Sequence, residues 1–254
     1  MEECIQGRSV YRNFDKFQRR VSERSTALAN LLRRKVKEDV MDFVKELNAK
    51  ANSTERAHDL EAYLRVLEFT KKSTPENMRK GLMGDELPKV LYETLESWGM
   101  NKRRASLKEY DDFKKELQSA VSLIDGSLLE SSIEVFKDVN SPTVMNVLRF
   151  YGSLKVTRTK TKLVGNSKLM HFLFPNLIVP IDRTYTIRAL GIPDFWLEIE
   201  KCAFLTIHRW AGEFVEENRE FLQKLIEADT GSGWNQTIPK VVDNLIIYYV
   251  KTQL

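Results

Sequence analysis

Apolar residues recur along most of the chain with the spacing of an α-helix. From Val21 to Leu47 they follow one another at intervals of three, four or seven positions, which predicts one long amphipathic helix. The same spacing runs from Leu60 to Leu67, and again through a last helix that begins at Pro239. Because this periodicity dominates the chain, the pattern predicts an all-α fold.

Residues that favour helix ends mark most boundaries between these segments. A serine, threonine or asparagine three residues before a glutamate forms a capping box, and proline is favoured in the first turn. The predicted starts are the capping boxes at 52–55, 106–109 and 127–130, the pairs Thr74-Pro75 and Ser141-Pro142, Asp85 and Asp194. Glycines at 99, 126 and 152 are predicted to close helices. Residues 1–254 are therefore expected to form a single all-α domain, with an N-terminal lobe of about 1–126 and a C-terminal lobe of about 127–254.

One basic segment interrupts the helical pattern. Residues 155–162 read KVTRTKTK, in which cations alternate with threonine or valine. Half of these positions carry β-branched side chains, which disfavour a helix mildly. We predict either a short basic β-hairpin or an extended loop near residues 154–164.

Positive charge is concentrated around this segment. Residues 139–193 contain eight lysines or arginines and one acid, Asp182, for a net charge of +7, whereas residues 194–254 carry a net charge of −4. A localised cationic segment is typical of a phosphate-binding surface. A solvated basic face that pairs with the acidic C-terminal part of the chain would give the same distribution, and both interpretations remain open.

Composition and motifs exclude several classes of protein. With 254 residues, 42% of them apolar, the chain is typical of a soluble globular protein, and its apolar runs are far shorter than the roughly 20 residues of a membrane-spanning helix. The N-terminus shows no secretion signal, and Cys4 and Cys202 form neither a metal-ligand spacing nor a disulfide framework, which predicts a cytoplasmic protein. His58 and His208 have no ligand-like neighbours, and motifs for nucleotide cofactors or zinc proteolysis are absent from the sequence. We therefore predict no metal and no cofactor.

The isolated acid, Asp182, stands at a predicted helix start. Gly165-Asn166-Ser167 predicts a turn, after which Lys168 begins a short apolar helix that ends before Pro175. An extended run follows, and Asp182 then precedes a helical octet that ends at Gly191, which is the position of an N-cap. If the two helix starts converge, Lys168 and Asp182 line one cleft, where a lysine close to other cations acquires a lowered pKa and becomes nucleophilic.

The order of these features, from the glycine turn and Lys168 to the string VPIDRTYTIRAL, resembles the helix-hairpin-helix DNA glycosylase superfamily over about Leu163–Leu190. Members hold the DNA backbone with a hairpin, and a catalytic aspartate caps the helix that follows. The resemblance implies a helix-hairpin-helix element with Gly165 and Asn166 in its turn, Lys168 as nucleophile and Asp182 as catalytic carboxylate. The turn here lacks the usual pair of glycines. The string SKLMHFLFPNLIVPIDRTYT also resembles segments of uncharacterised prokaryotic proteins.

Further residues are candidates for the same site. His171 follows Lys168 by one helical turn and is either an acid–base partner or a half-buried structural histidine. Trp234, in the glycine-rich stretch GSGWNQ, either faces a substrate or pins its loop to the core. The candidate nucleic-acid-binding residues are Lys155, Arg158, Lys160, Lys162, Gly165, Asn166, Arg183 and Tyr185.

Three functional hypotheses follow from the sequence. The first is a DNA glycosylase or abasic-site lyase that acts on damaged bases through Lys168 and Asp182. The second is a non-enzymatic protein that uses the same surface to bind nucleic acid, DNA above all. The third is a helical interaction module. None of them involves a membrane, and in each of them Asp182 also serves as a helix cap.

Overall fold

The computed structural model describes residues 19, 21–31, 35, 40–51, 57–101, 106–192, 200–229 and 233–254. The regular secondary structure in these ranges is helical. Within these ranges there is no β-strand, and one isolated antiparallel bridge joins Leu107 to Thr157. The prediction of an all-α fold is confirmed.

The helices follow one another along the chain with short connections. They are α1 Val40–Ala51, α2 Ala57–Lys71, α3 Pro75–Met83, α4 Glu86–Ser97, α5 Tyr110–Ser119, α6 Gly126–Glu130, α7 Pro142–Ser153, α8 Leu163–Leu173, α9 Arg188–Leu190, α10 Glu200–Ala228 and α11 Ile238–Gln253. Residues 21–31 are helical as well. Two 3₁₀ helices lie at Val121–Leu123 and Ile133–Lys137, and a π-helix lies at Arg183–Ile187.

Side-chain caps start several helices as predicted. The hydroxyl of Thr74 accepts a hydrogen bond from the N–H of Asn77 at 3.2 Å, and Ser141 does the same for Val144 at 3.3 Å. Each cap precedes a proline, which loses no helical hydrogen bond in the first turn. The predicted capping box at 52–55 and the predicted cap at Asp194 lie outside the described residues.

The chain between α4 and α7 differs from the prediction. The box at 106–109 does not start a helix, because the main chain of Ser106 and Lys108 bonds to residues 156–158 and holds this stretch extended. Gly126 does not close a helix but opens α6, whose cap is Asp125, with its carboxylate accepting from the N–H of Leu128 at 3.2 Å. The box at 127–130 therefore lies inside a helix.

The basic segment forms an extended loop. The N–H of Lys108 donates to the carbonyl of Val156, and the N–H of Arg158 donates to the carbonyl of Ser106, each at 2.9 Å. Only this isolated bridge is formed, and α8 begins at Leu163. Of the two predicted alternatives near residues 154–164, the extended loop is the one found.

Two helices are buried on all sides and occupy the centre of the core. In α8 every residue except Val164 is buried, and in α11 every residue from Pro239 to Val250 is buried. The helix α8 packs against α2, α4, α7 and α10, while α11 packs against α1 and α10. A helix surrounded in this way has no solvent face for its polar side chains.

The buried apolar residues form one cluster that extends from Leu28 to Val250. Since α1 packs against both α10 and α11, helix packing crosses the position near residue 126 where the two predicted lobes meet. In the part of the chain described, no helix combines the length and apolarity needed to cross a bilayer.

One cysteine differs from the prediction. Cys202 is buried in α10 and disulfide-bonded, which corrects the expectation of unpaired cysteines. Cys4 lies outside the described residues.

Replacing Gly212 tests the closest helix contact. Gly212 lies where α10 crosses the 3₁₀ helix Ile133–Lys137, and a Cβ at position 212 would lie 2.8 Å from the main-chain oxygen of Ile133. Because the backbone would have to move, we expect Gly212→Ala to lower the free energy of unfolding by about 1–3 kcal/mol, measured by urea denaturation.

Gly152→Ala is the matched control. Its Cβ would meet the flexible end of Lys201 at 3.3 Å, so we expect unchanged or slightly higher stability. Equal losses in the two variants would contradict the role assigned to the close contact.

Candidate functional site

A buried extended run delivers Asp182 to its position. Residues 177–181 have no sheet neighbour, yet buried main-chain groups must find partners. Three side chains supply them: the N–H of Ile181 donates to Ser167 Oγ at 3.0 Å, the N–H of Val179 donates to His208 Nε2 at 3.2 Å, and the carbonyl of Ile178 accepts from His171 Nδ1 at 2.7 Å. Two of these partners lie on α8, so the run lies along that helix and brings Asp182 close to Lys168.

Lys168 and Asp182 lie close together as predicted, although Lys168 lies in the middle of α8 and not at the predicted helix start. Lys168 Nζ lies 3.8 Å from Asp182 Oδ2, and it donates a hydrogen bond to the main-chain oxygen of Trp98 at 3.1 Å. Lys168 is only 8% exposed, whereas the Asp182 side chain is 30% exposed. The amine is thus the inner member of the pair, and the carboxylate is the one that reaches the surface.

Asp182 also caps the helix that follows it. Its Oδ1 accepts from the N–H of Thr184 at 2.7 Å and from the N–H of Tyr185 at 3.3 Å, while its own N–H donates to Thr186 Oγ1 at 3.0 Å. The capping prediction is confirmed. Since the cap uses Oδ1 and the amine lies nearest Oδ2, one carboxylate serves both contacts without competition.

The capped segment is a π-helix, Arg183–Ile187, followed by α9 and closed by Gly191 with φ of +61°. π-helices hold well under about 1% of residues and recur at functional sites. This one leaves Arg183 and Thr184 exposed beside Asp182, whereas Tyr185 is half-buried. Lys251 Nζ lies 5.7 Å from the centre of the Tyr185 ring, so a cation already occupies one side of that ring.

A second ion pair, which was not predicted from the sequence, lies further inside. Lys240 Nζ lies 2.7 Å from Asp243 Oδ2, and both side chains are almost fully buried. Burial raises the pKa of Asp243 against the lowering effect of Lys240, and the charges of Asp182 and Lys168 act on it too. The available signal was a pair of opposite charges three residues apart in an otherwise apolar helix.

Aromatic side chains enclose the inner pair. Lys240 Nζ lies 4.8 Å from the centre of the Trp98 ring and 5.5 Å from that of Trp234, both within the range of cation–π attraction. The Trp234 ring is stacked on that of Tyr63 with centres 6.2 Å apart. Trp234 is therefore buried, and of its two predicted roles the contacts support the one that pins its loop to the core.

Amide side chains hold the loop that carries Trp234. The N–H of Asn235 donates to Asp229 Oδ2 at 2.7 Å, and its side-chain amide donates to Asn48 Oδ1 at 3.2 Å. Asn244, on α11, donates to Asn235 Oδ1 at 2.8 Å. These bonds join α1, the loop and α11, and they explain why a glycine-rich stretch holds an aromatic ring in a defined place.

His171 is a structural histidine. Its Nε2 lies 3.0 Å from the Tyr63 hydroxyl, and its Nδ1 contacts the carbonyl of Ile178, so both ring nitrogens are engaged. Burial lowers the pKa of His171 to about 3, which keeps the ring neutral near pH 7. Of the two predicted roles, acid–base partner or structural histidine, the contacts support the second.

The predicted hairpin turn at Gly165 and Asn166 is wrong. Both residues are buried within α8, and the Asn166 amide donates to the carbonyls of Tyr151 and Leu154 at 3.1 Å each. Glycine is required at 165 for another reason, because a Cβ there would lie 2.4 Å from Thr157 Cγ2 in the basic loop. The helix-hairpin-helix element is not found here, and neither residue is accessible to nucleic acid.

The basic loop presents its cations to solvent. Lys155, Arg158 and Lys160 are exposed, and Arg158 pairs with Glu109. Lys162 is partly exposed, and its main-chain N–H donates to the Glu200 carboxylate at the start of α10. Because Thr157 packs on Gly165, the loop lies over the first turn of α8, one turn before Lys168.

Most of the acidic pairs of α10 lie away from the basic loop. Glu216 pairs with Lys137, Glu213 pairs with Arg209 on the same helix, and Arg219 pairs with Glu134. Among the described pairs of α10, the loop receives only the contact of Glu200 with its last residue. Within the described ranges, the acids of α10 therefore leave most of the positive charge of the loop in place.

Two other kinds of site, a metal centre and a cavity, add no residue to this candidate site. No group of three or more histidine, cysteine, aspartate or glutamate side chains is placed to hold a metal within the described part of the chain. A cavity of about 240 Å³ lies beside the start of α3 and contains none of the predicted site residues. Its walls include Thr70, Lys71, Ser73, Thr74, Glu130 and Asn176.

Comparison with known proteins gives no relative. No protein-family model matches the chain, no curated protein matches it, and no solved structure matches it. The resemblance to helix-hairpin-helix DNA glycosylases therefore stays a hypothesis.

The buried histidines predict a loss of stability in acid. Burial lowers the pKa of His171 to about 3 and that of His208 to about 4. Below pH 6.5 the unfolded chain therefore binds protons that the folded chain does not, and stability falls as the pH drops towards 4. Each histidine contributes up to about 1.4 kcal/mol per pH unit to that slope.

Urea denaturation between pH 7 and pH 5 measures this effect. His208→Gln should remove about half of the slope, and its difference from the parent isolates the histidine from carboxyl groups that titrate nearby. Parent and variant with the same pH dependence would contradict a neutral, buried His208.

Proposed function

We propose that this chain is a nucleic-acid-binding protein, with DNA as its preferred partner and the basic loop as its phosphate-contacting surface. The observation that carries the proposal is the presence of exposed lysines on a loop held in place by main-chain bonds. Backbone phosphates supply most of the affinity of such proteins, and lysine and arginine side chains neutralise them.

The placement of the loop supports this function further. Thr157 of the loop packs on Gly165 in the first turn of α8, the helix that also carries Lys168. Arg183 is exposed on the π-helix next to Asp182 and adds a cation there. A loop already ordered by its contacts loses less entropy when it binds.

Salt dependence tests the phosphate contacts. For the parent protein, the logarithm of the DNA association constant should fall linearly with the logarithm of the salt concentration. In Lys155→Ala/Lys160→Ala the slope should become shallower by about two, since each phosphate contact contributes about 0.9 on duplex DNA. Fluorescence anisotropy with a labelled duplex gives both slopes.

The matched control replaces two exposed lysines on other helices, Lys89→Ala/Lys224→Ala, and should keep the parent slope. The same salt-dependence slope in both double variants would show that the basic loop does not contact the DNA. Binding to a protein partner that is insensitive to salt, with no DNA binding, would favour the helical interaction module instead.

A second candidate function adds chemistry to the same surface, and the distance of 3.8 Å between Lys168 Nζ and Asp182 Oδ2 favours it. A negative charge beside an anion-binding surface stabilises a cationic sugar in the transition state. The reaction would be that of a DNA glycosylase with lyase activity, as the resemblance over Leu163–Leu190 implies.

The steps of that reaction define what Lys168 must do. Its amine first loses a proton to solvent, because the ammonium form is not a nucleophile, while a remaining N–H keeps the bond to the Trp98 carbonyl. It then forms a bond to the sugar C1′ as the bond to the damaged base breaks, and the base leaves with the electron pair and takes up a proton. The C1′–O4′ bond then breaks to give a Schiff base as O4′ takes up the proton released by the nitrogen. Loss of a proton from C2′ to solvent expels the phosphate oxygen from C3′ with its electron pair, and hydrolysis by water releases the amine.

Borohydride trapping tests this second function. Reduction of the Schiff base should link the protein to DNA that carries an abasic site, and peptide mass spectrometry should locate the link at Lys168. Lys168→Arg keeps the positive charge and should form no adduct. Asp182→Asn keeps a helix-capping side chain and should slow trapping on DNA that carries a damaged base by about 10²-fold or more, because the cationic sugar forms as that base leaves.

The trapping result separates the two functions. Loss of the adduct in Lys168→Arg with unchanged DNA affinity would support catalysis. Absence of an adduct in the parent protein on every lesion tried, with DNA binding intact, would leave the binding function alone.

A further inference from the structure

One residue, Trp98, contacts both ion pairs. Its main-chain oxygen accepts the hydrogen bond from Lys168, the amine of the outer pair, and its ring faces Lys240, the amine of the inner pair. A continuous series of contacts therefore runs from Asp243 through Lys240 and Trp98 to Lys168 and ends at Asp182.

The inner end of this series is held firmly. Asp243 lies three residues after Lys240 on α11, so the helix itself sets their spacing at a distance of 2.7 Å. The Lys240 ammonium group also faces the rings of Trp98 and Trp234, and a desolvated cation–π contact is stronger than an exposed one. Removing Lys240 would take away an electrostatic contact that holds the Trp98 ring.

The outer end depends on where the main chain of Trp98 lies. Trp98 is the C-cap residue that directly follows α4, and Gly99 comes next with φ of +83°. The last carbonyls of a helix have no partner within that helix, so a side chain from another element can bind there. A cation is favoured at this end by the helix dipole, and Lys168 fills the position.

The inner ion pair of Lys240 and Asp243 lies deep in the core, where two charges are costly. Apolar residues of similar volume often stabilise a core as well as a buried ion pair or better, since both charges must be taken out of water. Compared with two apolar side chains, the inner ion pair thus adds little stability. What it does add is a positive charge that faces the Trp98 ring.

We propose that Lys240 and Asp243 are positioning residues for Lys168. They hold the Trp98 ring, which fixes the carbonyl that binds the Lys168 amine and keeps that amine near Asp182. The catalytic meaning of this inference rests on the proposed function, while the coupling between the two pairs is a property of the folded protein and can be measured without a substrate.

Reductive methylation with formaldehyde and borohydride measures the coupling. The probe modifies free amines, and peptide mass spectrometry gives the rate at each lysine. In Lys240→Met/Asp243→Asn, which leaves no lone buried charge, Lys168 should react about tenfold faster, because the hydrogen bond that holds its amine is weakened. Lys155 is exposed in the parent protein and should react at the same rate in every variant.

Lys240→Arg is the conservative control. It keeps a cation over the Trp98 ring, so it should keep the slow reaction of Lys168. An unchanged Lys168 rate in the double variant, in a protein that circular dichroism shows to be folded, would overturn the proposal.

A second variant covers the case in which the double variant does not fold. Trp98→Phe keeps the main-chain carbonyl and an aromatic ring but weakens the cation–π contact, so Lys168 should react faster than in the parent protein. A parent rate in this folded variant would also overturn the proposal.

Borohydride trapping on abasic DNA then separates this inference from the proposed chemistry. If the parent protein forms an adduct, Lys240→Met/Asp243→Asn should trap more slowly at unchanged DNA affinity. The single variant Lys240→Arg should trap at the parent rate. If the parent protein forms no adduct, the lyase function fails, and the methylation rates alone support or overturn the positioning role.

Discussion

Polar side chains that a buried helix carries into the core need hydrogen-bond partners there, and this constraint organises the structure around α8. The helix has no solvent face, yet it carries Asn166, Ser167, Lys168 and His171. These four side chains reach the main chain of three neighbouring segments: α7 and the residue after it, the extended run at 177–181, and the end of α4. The neighbours of α8 are thus held by directional bonds as well as by apolar contact.

The same contacts create the candidate site. The run at 177–181 is held along α8 by Ser167 and His171, so the residue that follows it, Asp182, meets Lys168 without a special device. The carboxylate then divides its oxygens between a helix cap and the amine. Structural and chemical roles therefore coincide at one side chain, which is why the capping interpretation and the catalytic one do not exclude each other.

Burial gives the site its character. The outer pair lies at the border of the core and the inner pair lies within it, beside aromatic rings that favour a cation. Charges in such surroundings are strongly coupled, since little water screens them. The basic loop, by contrast, keeps its cations in solvent, where they act at longer range and attract an anionic partner.

Local signals in the sequence determined the all-α class and the caps at Thr74, Ser141 and Asp182, because each depends on residues within a few positions of one another. For the basic segment they left a β-hairpin and an extended loop open, and bonds to the distant residues 106–108 decided between them. The turn expected at Gly165 failed for the opposite reason: the sequence Gly-Asn-Ser is typical of a turn, but Thr157 from the basic loop approaches so closely that glycine is needed inside a helix. Trp234, His171 and the pair of Lys240 and Asp243 could not be placed either, because their surroundings come from helices far apart in the chain. Burial and pairing of this kind arise only when the helices pack, so the tertiary structure alone decided which charged residues lie inside.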